Sequence, residues 1–281
     1  MQRWFSLIVL IMISVSWPAA AGTLERVRDT GEFKLGYRED AVPFSYKNEL
    51  GEVTGYSVDL CRFVAVQVKK QLELDDMEVT YVPVTAENRF NMIQGGEIDI
   101  LCGPTSVTLS RREMVDFSLF TFVDGASVLY LAEGPKSFEE LKGQKVGVRR
   151  GTTTEEALNV TLQKLALDAE VVDVADHADG LNKLETMEIS AYFADQAILL
   201  YLAAGSPTPE KLRLSNRHFT NEPYALALQR GDSDFRLLVD KTLARLYRSG
   251  EIGQLFRNSF SERAVPSDPL KVLYAIHRLP E

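Results

Sequence analysis

Four polar features of this sequence could do chemistry. Each stands at the carboxyl end of a predicted strand, where open α/β sheets place their ligands. Arg38 closes the first strand, in GYRE. The run CGPTSVTLSRRE, which carries Pro104, Ser106 and Arg111, follows a second. Arg150-Gly-Thr-Thr-Thr154 follows a third and opens a helix. Asp195 follows a fourth, in AYFADQA.

The chemistry on offer is binding of a small charged molecule. Gly151 and the Thr residues beside it, Thr152 and Thr153 among them, bring backbone N–H groups and hydroxyls to a helix N-terminus. Those amides lack intrahelical partners and the helix dipole is positive there, so an anion is favoured. A Thr in that place is also an ordinary N-cap. The G-x-x-x-x-G-K-[ST] spacing of a phosphate loop is absent. Arg111 falls in the first turn of a predicted helix, where a cation opposes the dipole by about 0.3–1 kcal/mol. A bound carboxylate would offset that cost, and so would a side chain reaching solvent. Arg38, Arg89 and His177 are further cations, each of a type found singly on surfaces. His177, between Asp176 and Asp179, could decorate a helix start. Asp195 could hold a ligand cation or cap the helix after it.

Enzyme templates do not fit. The sequence has no G-x-S-x-G elbow, no H-E-x-x-H, no C-x-x-C and no G-x-G-x-x-G after a strand. Three His and two Cys leave little for a His/Cys metal site, and no cofactor is expected.

The elements that must position these residues alternate. Strands are predicted at 33–37, 79–83, 98–101, 145–148, 169–174, 190–193 and 224–229. Helices are predicted at about 57–72, 88–93, 154–167, 179–187, 196–204, from Asp232 or Ser233 to Arg248, and 251–256. Ser137-Phe-Glu-Glu140 has a capping-box pattern. The Pro-punctuated tail from Ala264 is expected to pack loosely. The whole reads as α/β with helix-covered sheets. No Ser/Gly/Pro-rich linker appears, so two lobes would be joined by structured crossings.

Length and composition agree. A chain of 281 residues, 45% hydrophobic and 25% charged, suits two lobes of roughly 100 residues or slightly more. Residues 1–21 read as a signal peptide: Arg3, an apolar run from Phe5 to Trp17, then Ala19-Ala20-Ala21. The apolar run is too short for a spanning helix of about 20 residues. The formal charge of −9, or −10 once the leader's single cation is gone, argues against nucleic acid or an anionic membrane as partner. In an oxidising compartment Cys61 and Cys102 either form one disulfide or remain buried thiols.

In order along the chain, GYREDAVPFSY, GYSVDL, TAENRFNMIQGGEIDILCGPTSVTLSRREMVDFS, FEELKGQKVGV, RGTTTE, YFADQA and RSGEIGQLF resemble the periplasmic amino-acid-binding proteins of ATP-driven importers, solute-binding protein family 3. The Arg in GYRE, the Arg in TAENR and the His in ADHAD are most like the glutamate/aspartate-binding branch. The resemblance implies a two-lobed, hinge-closing fold (type II) with the ligand between two α/β lobes joined by two crossings. Lobe 1 would be 22–122 plus 226–281, and lobe 2 123–225.

It also implies roles. Arg111 would hold the α-carboxylate of an amino acid, aided by Ser106 and Thr152–Thr153. Asp195 would take the α-ammonium. Arg38, Arg89 and a partly charged His177 would meet an acidic side chain, and Pro104 would offer a carbonyl to the ammonium. Two residues depart from the branch's pattern: Ala86 stands for a Ser, and Pro104 removes a hydroxyl and an N–H. A lost bond to a charged group is worth about 1.5–3 kcal/mol. The expected protein is a periplasmic, monomeric, non-enzymatic binding component that serves an inner-membrane ABC permease. The alternatives are a lyase on the same fold resembling cyclohexadienyl dehydratase, with Glu155 nearest to a general acid, and a soluble ligand-sensing subunit.

Overall fold

The computed structural model describes residues 22–280, and the expected leader, residues 1–21, lies outside the described residues. The chain begins with α1 (Thr23–Thr30) and β1 (Glu32–Tyr37). A small three-stranded sheet follows: β2 (Asp40–Ala41), β3 (Ser45–Lys47) and β4 (Val53–Thr54). Then come α2 (Tyr56–Gln71), β5 (Glu78–Pro83), α3 (Arg89–Gln94), β6 (Ile100–Cys102), α4 (Leu109–Arg112) and the long β7 (Val115–Asp124). The second part holds β8 (Ala126–Leu131), β9 (Lys145–Arg149), α5 (Thr153–Lys164), β10 (Glu170–Val174), α6 (His177–Glu185), β11 (Ala191–Asp195), α7 (Gln196–Gly205) and β12 (Leu212–Leu214). The chain then returns through β13 (Glu222–Gln229) and ends in α8 (Ser233–Ser249), α9 (Glu251–Phe260) and α10 (Asp268–Ile276).

Two five-stranded sheets result, each with one lobe's helices packed on it. The first has the order β5-β1-β6-β13-β7 and the second β10-β9-β11-β8-β12. In the first, β1 is parallel to β5 and β6, and β13 is antiparallel to β6 and β7. In the second, β9 is parallel to β10 and β11, and β8 is antiparallel to β11 and β12. The parallel pairs carry crossover helices, so their inner strands are buried on both faces. This explains runs such as Ala191-Tyr-Phe-Ala194, which are apolar without alternation.

The sheets set the crossings. β7 stays in the first sheet to Asp124 and β8 enters the second at Ala126, so Gly125 is the first crossing. A Cβ on Gly125 would stand 2.6 Å from the Thr220 carbonyl oxygen on the second crossing, so only glycine lets the two pass this closely. The return lies between Leu214 and Glu222. Residues 123–124 and 222–225 therefore pair within the first sheet rather than the second, as Glu222 opposite Asp124 makes plain.

Three further expectations meet the structure. The tail is not loose: Ser267 caps α10, Pro269 sits in its first turn, and Leu270, Leu273 and Tyr274 are buried at helical spacing. Tyr274 shares a 2.7 Å hydrogen bond with the buried Tyr56 hydroxyl, which donates to the Thr121 carbonyl at 2.9 Å. The Ser137 motif gives only a short 3₁₀ turn, Glu139–Leu141, without a side-chain cap. The cysteine alternative resolves to a disulfide, Cys61–Cys102, with a Cα separation of 6.0 Å. It joins α2 to the end of β6, directly before the Pro104–Arg111 loop.

Candidate functional site

The cleft between the two sheets is lined by Arg38, Arg89, Pro104, Ser106, Arg111, Thr152, Thr153, His177 and Asp195, together with Thr154 and Ile198. The nine residues expected from the sequence to contact a ligand thus reach one concave space. Seven do so because a strand ends there, Arg38 after β1, Pro104 and Ser106 after β6, Thr152 and Thr153 after β9, His177 after β10 and Asp195 at the end of β11, while Arg89 and Arg111 are carried in by α3 and α4. A roomier groove of about 680 Å³ lies between α1, α2 and α8, but its lining alternates Glu25, Arg28, Lys70, Asp234 and Lys241 without a converging set.

One end of the cleft holds a cation, Arg111, and a carboxylate, Asp195, that feel each other's charge without a direct contact. Arg111 Nη1 donates to the Ser106 carbonyl at 2.8 Å, and its guanidinium lies 5.3 Å from the Phe90 ring centroid. Its helix is a single turn capped by Thr108, too short for the dipole argument to carry weight. Burial disfavours the Arg111 charge, and Glu156, Glu222 and Asp195 counter it. Asp195 occupies the N-cap position of α7 yet makes no capping bond. Its Oδ1 is buried without a hydrogen-bond partner. Burial, then the like charges of Asp124 and Glu222, push its carboxyl well above the usual range. Asp124, buried beside it at the crossing, is raised to about 6, chiefly by burial. The Tyr224 hydroxyl works in the opposite direction through a hydrogen bond to this carboxyl of Asp195, but the buried Oδ1 that it leaves unbonded is costly, and a cation placed there would relieve it.

The two Thr residues divide the work. Thr152 is an ordinary cap: its hydroxyl accepts from Glu155 N at 3.1 Å and donates to the Arg149 carbonyl at 2.7 Å. Thr153 reaches across the cleft, with Oγ1 at 2.9 Å from Glu222 Oε2 and 3.2 Å from Ser106 Oγ. The Glu155 carboxylate accepts from Gly151 N at 2.8 Å, so the chain itself supplies one anion to this helix start.

The other end is crowded with guanidinium groups. Arg38 and Arg89 are 5% and 4% exposed, and Arg149, which the sequence reading passed over, is 6% exposed. Arg89 donates to the Ala86 carbonyl at 2.5 Å and, across the cleft, to the Gly151 carbonyl at 3.3 Å. Burial lowers its basicity strongly, with Arg111 and Arg38 adding repulsion. Asp40 sits among them, ion-paired to Arg38 at 3.0 Å and to Arg149. Burial pushes the Asp40 carboxyl up, but Arg38, His177 and Arg149 bring it below its ordinary value.

His177 is buried, not partly charged as expected. Burial drives its pKa down to about 3 against the pull of Asp40, so the ring is neutral near pH 7. Its Nδ1 shares a 2.7 Å hydrogen bond with the Tyr192 hydroxyl. Four residues were missed: Asp40, Arg149, Glu222 and Phe90. Arg149 had a legible signal, since it stands between the predicted strand 145–148 and the Arg150 turn. Asp40, two residues past Arg38, had only its proximity.

Two α/β lobes joined by two crossings, with polar strand ends converging on the gap between them, define a two-lobed periplasmic-binding fold. The chain matches the bacterial extracellular solute-binding proteins, family 3, over residues 33–262, and it belongs to that family. It is 32% identical to the glutamate/aspartate import solute-binding protein of Salmonella typhimurium over 267 residues, 92% of this chain and 88% of the relative. It is 32% identical to the L-glutamate/L-aspartate-binding protein of Pseudomonas aeruginosa, covering 87% and 82% of the two chains. Among solved structures it is similar to an ancestral amino-acid-binding protein described as a precursor of cyclohexadienyl dehydratase. That likeness has 28% identity and a TM-score of 0.74, over 85% of this chain and all of the other.

Proposed function

We propose that the chain is the periplasmic binding component of an amino-acid ABC importer, and that it binds an acidic amino acid in the interlobe cleft. The observation that carries this reading is the charge layout of the cleft. Arg111 and Asp195, whose Oδ1 is buried without a hydrogen-bond partner, stand where the two ends of a zwitterion could meet opposite charges. Arg38, Arg89 and Arg149 stand together at the other end, where a second carboxylate would be favoured. The binding roles given to all nine residues of the sequence reading rest on this layout. Ser106 and Thr153, in contact across the cleft, would assist Arg111. The glutamate and aspartate named for the relatives point to the same ligand class.

The lobes would be 22–124 plus 222–281, and 126–214, moving about Gly125 and the return segment as ligand from one lobe meets the other. The partner would be an inner-membrane permease that receives the closed form, and the binding component itself would be a monomer addressed by residues 1–21. A lyase on this fold has less support. Its nearest general acid, Glu155, is tied to Gly151 N rather than lining the cleft.

A thermal-melting panel of the protein with the twenty amino acids, dicarboxylates and cyclohexadienyl carboxylates tests the reading. Glutamate or aspartate at 100 times its Kd is expected to add about 2.7 kcal/mol of stability, a clear rise in Tm. A cyclohexadienyl carboxylate turned over by the protein, seen by mass spectrometry, would replace transport with catalysis.

A further inference from the structure

The distal end of the cleft contains an anion of the protein's own. Three guanidiniums, of Arg38, Arg89 and Arg149, are each less than a tenth exposed, and each keeps a buried Nε without a partner. Asp40 is placed among them. Its Oδ1 accepts from Arg38 Nη2 at 3.0 Å. Its Oδ2 accepts from Arg149 Nη1 and lies 3.4 Å from the His177 backbone N. Arg38 and Asp40 belong to one lobe, Arg149 and His177 to the other. One carboxylate therefore spans the lobe boundary and uses donors of two of the three arginines. Glu87, exposed nearby, is held below its ordinary pKa against partial burial, first by its hydrogen bonds to Thr85 and the backbone and then by Arg149 and Arg38.

We propose that Asp40 is a specificity-determining residue, a built-in carboxylate that competes with the ligand's side-chain carboxylate for Arg38 and Arg149. The inference deepens the acidic-amino-acid reading and rests on it. Two carboxylates facing the same pair of guanidiniums repel each other, so the cleft prefers glutamate over glutamine by less than three arginines would give. The same residue has a second effect of different character: its ion pair with Arg149 draws the lobes together whatever ligand is between them. Removing Asp40 thus weakens closure for all ligands alike and strengthens the field for anionic ones alone. Specificity is a difference of affinities, so the closure effect cancels in a ratio.

The test is calorimetric titration of wild type, Asp40→Asn and Asp40→Ser with the pairs glutamate/glutamine and aspartate/asparagine. Asn keeps the shape and one acceptor, and Ser removes both oxygens, so one variant serves if the other fails to fold. The ratio of acidic to amide affinity is expected to rise tenfold or more, about 1.4 kcal/mol, whichever way the absolute affinities move. A ratio within twofold of wild type, or a lower one, overturns the assignment. If wild type binds none of the four, the acidic-amino-acid reading falls and takes this one with it. If wild type binds them and the ratio does not move, only the role of Asp40 falls.

Discussion

His177 shows how burial reassigns a residue that sequence alone leaves ambiguous. As a titratable side chain between two aspartates it reads as a cation. Packed against Tyr192 and beside Arg38 and Arg149, it is held neutral with a pKa of about 3. The consequence is a pH dependence with a fixed sign. The unfolded chain takes up the proton below about pH 6.5, while the folded chain does so only near 3. Stability from this group is thus complete above about pH 6.5 and lost as pH falls toward 3, with a slope of up to about 1.4 kcal/mol per pH unit. Asp124 acts oppositely: its raised pKa of about 6 contributes stability below the unfolded value that is lost as pH rises through 6. His177→Gln isolates the first effect. The stability gap between wild type and this variant, measured by denaturant unfolding, should shrink from pH 7 to pH 4, and a gap independent of pH would contradict the neutral, buried ring. At this scale the sequence pointed to residues that line the candidate cleft but not to their charge states. Residue type says which groups can titrate, whereas burial and partners decide whether they do.

Among the elements, the strand ends were the legible part. Short apolar runs bounded by Gly and by polar turns marked β1, β6, β9 and β11, and each delivered its expected residue to the cleft. The long hinge strand β7 was not legible, because Val115–Asp124 mixes polar and apolar residues with no clean period. Its partner β13, opposite in the sheet, accounts for that pattern. The terminal helix was also hidden. Pro266 and Pro269 suggested a loose tail, yet Pro at a helix start is tolerated, and Tyr274 docks on Tyr56 and Tyr247. The disulfide belongs to this scale as well. It fixes α2 to the strand end that carries Pro104, Ser106 and Arg111, closing a loop of 41 residues. In the chain-entropy model that closure contributes about 4 kcal/mol. The double change Cys61→Ser with Cys102→Ser should lower unfolding stability by about 2–4 kcal/mol, as read by urea denaturation. An unchanged midpoint would show that the crosslink constrains nothing the fold does not already hold.

For the molecule as a whole, the decisive feature is that both lobes contribute to the lining of the candidate cleft. Arg38, Arg89, Ser106 and Arg111 come from one lobe, and Thr153, His177 and Asp195 from the other. The lobes already touch across the gap through Thr153 and Ser106, Arg89 and Gly151, and Asp40 and Arg149. Ligand contacts from both sides would add to a closing tendency built into the chain, and closure strengthens every charge interaction inside by excluding water. A chain with a formal charge of −9 can still attract an anion if its positive charges converge on one cleft. The most direct test of that claim is the calorimetric titration of glutamate and aspartate into wild type and Arg111→Ala. One equivalent of an acidic amino acid should bind to wild type, with affinity at least about 100-fold weaker in the variant, the loss of roughly 3 kcal/mol expected of a charge-assisted pair. Equal affinity in the two proteins, or no binding of either amino acid to wild type, would contradict the account.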